Sequence, residues 1–166
     1  MKTITIQKTS EADLPSIAQL AASIWREHYT PIIGSAQVEY MLDKYQSVSA
    51  MAEQITDGVF YYNVVLDDEL VGYLSFYSNG EALFLSKIYV SSMHRGKGIG
   101  RQAMEFVIEQ AKSMDLPKVQ LTVNKYNTGS IEAYKRMGFK IVDEVVVDIG
   151  RGFVMDDYVM EIFLNE

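Results

Sequence analysis

Residues 95–101 read Arg-Gly-Lys-Gly-Ile-Gly-Arg, three cations interleaved with three glycines. Glycine lets a backbone approach a ligand closely and leaves amide N–H groups facing outward. A helix that begins here adds unsatisfied first-turn donors and a partial positive charge, and together these suit a pyrophosphate. The chain as a whole carries a formal net charge of -7, so the loop reverses the sign of charge where an anion would sit. As a bare pattern it is equally a tight strand-to-helix connection. Two familiar phosphate loops fit it poorly. A Walker A loop needs Gly-Lys followed by Ser or Thr, which is missing from this stretch. A dinucleotide fold sets its glycines directly after a strand, with an acidic residue about 20 positions on. Here residues 91–95 intervene, and the later position falls near Lys118.

Other side chains offer chemistry one at a time. Asp156 and Asp157 are adjacent carboxylates in an otherwise apolar stretch; on a strand they point to opposite faces, so one of them can serve a pocket as a base. Asn127 precedes a helical stretch and is a natural cap for it, and Tyr134 falls on the amphipathic face of that helix. Trp25, Tyr29, Tyr61, Tyr62 and Tyr158 have faces that can hold a cation, although aromatics at helix and strand spacing more often build core. The chain has no cysteine, which removes disulfides, thiolate metal sites and thiol nucleophiles. Its two histidines, His28 and His94, stand far apart, and no metal site is expected.

The elements that must hold these groups follow from periodicity. Thr3–Lys8 alternates as a short strand. Ser10 reads as an N-cap for a helix with Leu14, Ile17, Ala21, Ile24, Trp25 and His28 on one face, broken by Pro31 and Gly34. Ser35–Gln46 reads as a second helix, and Ser47 caps a third that ends before Gly58. Val59–Leu66, Leu70–Tyr77 and Ala82–Val90 are rich in β-branched and aromatic residues, and the turn signals Asp67-Asp68 and Asn79-Gly80 make them an antiparallel meander. A helix follows with Ile99, Ala103, Phe106, Val107, Ala111 and Met114 on one face, stopped by Pro117. Lys118–Asn124 is a strand, Thr128–Met137 a helix closed by Gly138, and Phe139–Val147 and Phe153–Phe163 are strands around the turn Ile149-Gly150-Arg151-Gly152. The order predicts an α+β fold, a mixed sheet whose antiparallel part precedes a strand-helix-strand-helix segment.

The segment from Leu85 to His94, followed by RGKGIG, resembles the acetyl-CoA-binding motif of GNAT-family acetyltransferases, a strand followed by Arg/Gln-x-x-Gly-x-Gly/Ala. About 30 residues on, Asn127-Thr128-Gly129-Ser130-Ile131-Glu132-Ala133-Tyr134 and then Gly138-Phe139 are similar to the family's second signature. Ser130 stands where the family usually has alanine. The resemblance implies a GNAT fold: a mixed, mostly antiparallel sheet flanked by helices, with the strand Ser86–Val90 splayed from the strand that begins at Lys118. It implies that the pantetheine arm pairs with backbone groups of Ile88, Tyr89 and Val90. The N–H groups of Arg95, Gly96, Lys97, Gly98, Ile99, Gly100 and Arg101 then hold the pyrophosphate. Asn127 and Ser130 border the cofactor arm, Tyr134 protonates the leaving thiolate and the Val90 N–H serves as oxyanion donor. Some relatives place a glutamate base where this chain has Ser86. The end of the first helix borders the acceptor side in the family, so Trp25, Glu27, His28 and Tyr29 join Ser86 and Asp157 as acceptor-side candidates.

The expectation is a single N-acetyltransferase domain of residues 1–166. It moves an acetyl group from acetyl-CoA to a primary amine by direct attack in a ternary complex. The first and last segments are loosely similar to bacterial polyamine and small-amine acetyltransferases, which makes such an amine the expected acceptor. The alternatives are a protein N-terminus as acceptor, or a non-catalytic acyl-CoA-binding or sensing module of the same fold. The acidic balance speaks against nucleic acid as a partner. The amino-terminal sequence shows no signal peptide, and no apolar run approaches a membrane span. A cytoplasmic setting is therefore expected, and a homodimer through the final strands is open.

Overall fold

A computed structural model describes residues 3–164; the amino-terminal leader reading falls partly on Met1 and Lys2, outside the described residues. The elements are β1 (Thr5–Lys8), α1 (Leu14–His28), α2 (Thr30–Ile33), α3 (Ser35–Tyr45), α4 (Val48–Thr56), β2 (Phe60–Leu66), β3 (Glu69–Ser78), β4 (Leu83–Val90), α5 (Ile99–Ser113), β5 (Lys118–Asn124), α6 (Thr128–Arg136), β6 (Lys140–Gly150) and β7 (Phe153–Phe163). The strands form one seven-stranded sheet in the order β1-β2-β3-β4-β5-β7-β6. Its β1–β2, β2–β3, β5–β7 and β6–β7 pairs are antiparallel and its β4–β5 pair is parallel, so the α+β fold with a mixed sheet is observed. No described helix is long and apolar enough to cross a membrane.

The described residues group into two compact units, each with its own core. One comprises the chain up to Tyr77 together with Lys87–Phe106. Leu14, Ile17, Ala21, Ile24 and Trp25 form the buried stripe of α1, as the spacing predicts. They share this unit with buried Val38, Met41 and Met51 of the next helices and with Val64, Val71, Tyr73, Leu74 and Phe76 of the strands. Complete burial of Ile17 contributes about 1.5–3 kcal/mol. The second unit comprises Ser78–Ser86 and the chain from Val107 on, with Leu83, Val107, Val119, Leu121, Phe139, Ile149 and Met160 buried. Within it the parallel ladder of β4 with β5 covers Leu83↔Val119 and Phe84↔Gln120.

Local chemistry moves several predicted boundaries. Ser10 and Asp13 form a capping box around a 3-10 turn, and α1 begins only at Leu14. The first helix ends at His28, ahead of Pro31 as the sequence predicts, and Pro31 then starts a separate short helix. The proline occupies the first turn of α2, where its missing N–H costs nothing, and Gly34 at φ 85° ends that turn. Asp67 and Asp68 both adopt positive φ, at 51° and 64°, as a two-residue hairpin requires. The last hairpin is tighter than the sequence suggests: Ile149 and Gly150 belong to β6, and Arg151 and Gly152, at φ 55° and 81°, make the turn alone.

A buried polar network ties the first unit together. Lys87 of β4 is only 5% exposed. Its ammonium donates to the Tyr45 carbonyl at the end of α3, to Gln54 Oε1 of α4 and to the Tyr61 hydroxyl of β2. The Tyr61 hydroxyl donates in turn to Gln54 Oε1, and Tyr73 donates to Gln46 Oε1 at 2.8 Å. All three acceptors of Lys87 are neutral, so burial is not offset by a counter-charge and lowers its pKa from 10.5 to about 7. The unfolded chain therefore holds this proton up to much higher pH than the folded one. Stability should rise with pH between about pH 7 and 9 and lose that rise in Lys87→Met. Denaturant midpoints across the interval check this; equal slopes in the two proteins would refute it.

Candidate active site

In the first unit, β4 ends at Val90 and a 3-10 turn, Ser92–His94, carries the chain into the glycine loop. Gly96 and Gly98 hold φ of 78° and 79°, a left-handed conformation that costs other residues about 1–2 kcal/mol. The loop thus turns twice on glycine before α5 starts at Ile99. The N–H groups of Ile99, Gly100 and Arg101 lie in the first helical turn, where no intrahelical acceptor exists for them. Arg95, Lys97 and Arg101 are exposed, and Arg95 Nε donates to the Val90 carbonyl at 3.2 Å, folding the loop back on the strand. This donor set fits a pyrophosphate: oriented amides, a helix N-terminus and three cations that face solvent.

The same unit brings two aromatic rings of the expected acceptor side, Trp25 and Tyr29, together with Tyr89 of the expected cofactor strand. Trp25 lies 4.4 Å from Tyr29 and 5.7 Å from Tyr89 between ring centroids, and Tyr29 lies 6.4 Å from Tyr89. His28 meets Tyr29 edge-on at 4.8 Å. Trp25 is buried, with its indole N–H enclosed, whereas Tyr29 and Tyr89 are half-exposed. Glu27 is exposed on the other side of α1. Tyr61 does not join these rings as an open face, because it is 2% exposed and its hydroxyl belongs to the Lys87 network. Tyr62 is half-buried; it stacks on Phe76 at 5.7 Å and meets Phe106 at 4.9 Å, so its ring is engaged in packing away from Trp25 and Tyr29.

The second unit holds the remaining candidates. Asn127 is 3% exposed at the N-cap position of α6, yet its side chain makes no capping hydrogen bond. The capping reading of Asn127 therefore fails, and α6 is entered through the backbone bond Ile131 N–H to Asn127 O at 3.1 Å. Ser130 and Tyr134 are half-exposed on α6, and the Tyr134 ring lies 5.8 Å from that of Phe139. Ser86 is exposed on β4.

The two aspartates of β7 have separate fates, as their alternation predicts. Asp156 pairs with Lys125 at 3.0 Å, and Lys125 also meets Glu144 at 2.6 Å and lies over the Tyr158 ring. Asp157 is 7% exposed and sits opposite Asn124 of β5 and Val145 of β6. Burial pushes its carboxyl up to about 6; the Asp156 charge adds to the rise and a hydrogen bond from Thr122 opposes it. A carboxyl poised there can accept a proton near neutral pH. Lys87 is the functional-looking group that the sequence reading passed over. A lysine at an inward position of the alternation Leu83, Leu85, Lys87 was the available signal.

Comparison with known proteins places this geometry. Residues 17–139, which run through both units, match the model of the acetyltransferase (GNAT) family. Streptothricin acetyltransferase of Streptomyces lavendulae is 36% identical over 75 residues, 44% of this chain and 40% of that protein; the match spans less than half of that relative. Spermidine N(1)-acetyltransferase of Thermoplasma acidophilum is 22% identical over 158 residues, 92% of this chain and 96% of that one. Among solved structures, the PaiA N-acetyltransferase of Thermoplasma acidophilum, in complex with coenzyme A, superposes with a TM-score of 0.84 at 20% identity, covering 98% of this chain and 99% of that one. That likeness establishes the fold, and the family match establishes the class. With the mixed sheet and the glycine loop at the head of α5, they make this chain a member of the acetyltransferase (GNAT) family, acyltransferases whose acyl donor is acetyl-CoA.

Proposed function

We propose that the chain transfers the acetyl group of acetyl-CoA to a small primary amine of the polyamine type, by direct attack in a ternary complex. The observation that carries this reading is the loop from Arg95 to Arg101, whose two left-handed glycines and first-turn amides suit the donor's pyrophosphate. For the acceptor, the half-exposed rings of Tyr29 and Tyr89 beside Trp25 suit an alkylammonium. The similarity to a spermidine N(1)-acetyltransferase over 92% of the chain supports the same class.

In this reading Asp157 takes the proton of the ammonium, which in water leaves only near pH 10. The neutral nitrogen attacks the thioester carbonyl carbon while the Val90 N–H stabilises the charge building on oxygen. The carbonyl then re-forms as the C–S bond breaks; the Tyr134 hydroxyl gives its proton to the sulfur and regains one from the new amide nitrogen, and Asp157 releases its proton to water. No residue carries the acetyl group, in keeping with a chain that has no cysteine. A cytoplasmic setting belongs to the proposal. So does a homodimer through the last strands, supported by the exposure of Val142 and Val146 on the edge strand β6, 50% and 66%.

Calorimetry with acetyl-CoA, followed by thiol release over diamines, polyamines, amino acids and amino-terminal peptides, tests the reading. The largest kcat/KM should fall on the diamines and polyamines. Turnover confined to peptides would replace the acceptor, and binding without turnover would make the chain a sensor. Tyr134→Phe should lower kcat by about 10²-fold or more while acetyl-CoA affinity is kept; an unchanged kcat would remove the acid role.

Asp157 gives a second, two-sided expectation. Its folded pKa near 6 lies above the ordinary 3.8, so the folded chain keeps a proton that the unfolded chain releases between about pH 4 and 6. Stability therefore falls as pH rises through that window and stays lower above it. Asp157→Asn should be more stable than the parent at neutral pH and should lose the rise of kcat/KM with an apparent pKa near 6. A variant with an intact pH–rate profile would show that Asp157 is not the base.

A further inference from the structure

The backbone around Val90 is held by one short segment of β3. In the β2–β3 ladder Val64 pairs with Gly72 and Val65 with Leu70, which leaves Val71 as the extra residue of a bulge. The Val71 carbonyl accepts the Ser91 N–H at 2.8 Å. Next to it, a methyl group built on Gly72 would overlap the Tyr89 carbonyl oxygen and lie 3.3 Å from Val90 Cα and 3.4 Å from the Tyr89 carbonyl carbon. Gly72 is not among the glycines with positive φ. Its lack of a side chain therefore serves space and not conformational freedom.

The Tyr89 carbonyl thus lies in the place of the missing side chain. A trans peptide is planar, with its C=O and N–H pointing opposite ways. The carbonyl held over Gly72 consequently turns the Val90 N–H away from β3. The next peptide is fixed on both sides, by Arg95 Nε on the Val90 carbonyl and by Val71 on the Ser91 N–H.

We infer that the Val71–Gly72 bulge of β3 is a positioning element for acyl transfer, which orients the Tyr89–Val90 peptide and so presents the Val90 N–H to the developing oxyanion. The inference rests on the reading of Val90 as the oxyanion donor. Val71 and Gly72 are both buried, so the effect of the bulge runs through the strand that it holds.

Gly72→Ala is the direct test, because the new methyl meets backbone atoms, which have no rotamer by which to yield. The expected signature is a kcat lower by about 10- to 10²-fold, with the dissociation constant for coenzyme A, by calorimetry, within about threefold of the parent. Gly58→Ala separates orientation from plain loss of stability. It is strained at φ 102° with nothing near its Cβ, and should lower Tm while leaving kcat intact. A backbone ester at residue 91 removes the N–H that Val71 holds without adding bulk; it should reproduce the fall in kcat at retained affinity, and it decides the matter if Gly72→Ala does not fold. A folded Gly72→Ala with parental kcat, or with kcat and affinity falling together, overturns the inference, as does a parental kcat in the residue 91 ester. A backbone ester at residue 90 deletes the donor itself. If that protein keeps parental kcat the donor reading fails separately, and the bulge has nothing to orient.

Discussion

The end of β4 and the glycine loop that follows it hang on a steric condition: β4 can finish as it does only if residue 72 has no side chain. Gly72 admits the Tyr89 carbonyl, Val71 bonds Ser91, and Arg95 returns from the loop to bond the Val90 carbonyl. These contacts, two of them between backbone atoms and one from the Arg95 side chain to a backbone carbonyl, join the end of a strand to the start of the glycine loop. The loop then turns on Gly96 and Gly98 and delivers the first amides of α5. A loop anchored at its root can keep its amides in place without a packed interior, which suits a segment whose cations are exposed to solvent.

Two buried ionisable groups pull against the stability of their units, and they do so for different ends. Lys87 is satisfied by three neutral acceptors from α3, α4 and β2. It is a cross-link whose loss of hydration is offset by hydrogen bonds and not by a counter-ion. Asp157 has a like charge beside it and a single opposing hydrogen bond from Thr122. Raised carboxyls of this kind are costly to keep and are concentrated at working sites. The contrast gives Asp157 the stronger case for chemistry, although Lys87 is the more deeply hydrogen-bonded of the two.

Local pattern carried the sequence reading a long way, and it failed where distance in the chain mattered. The stripe on α1, the Asp67-Asp68 turn and the glycine loop are properties of contiguous residues, and the structure keeps all three. Pro31 told half of its story, because α1 does end ahead of it while the same ring also starts the short α2. Asn127 misled because an asparagine before a helix is by habit a cap, whereas here the side chain is buried and does not cap. Tyr61 was placed with the acceptor rings, since nothing in its own strand announces a hydroxyl shared with Gln54 and Lys87, 7 and 26 residues away. Gly72 was invisible for the same reason. Its partner is a carbonyl on the next strand, and a close approach between backbones leaves no trace in composition or period.

Charge connects the two sides of the proposed reaction. The donor is an anion and the acceptor a cation, so a protein of uniform sign would repel one of them. This chain carries a net -7, with Arg95, Lys97 and Arg101 confined to seven consecutive residues. At physiological salt an exposed charge is felt over about 8 Å, roughly the reach of one loop. Near α5 the anionic donor therefore meets the local cations rather than the distant acidic surplus, while the surplus elsewhere favours the approach of a polyamine. The separation works only if the basic patch stays small. A longer basic stretch would repel the acceptor as it drew the donor, and so the compactness of the loop that glycine permits also sets its electrostatic range.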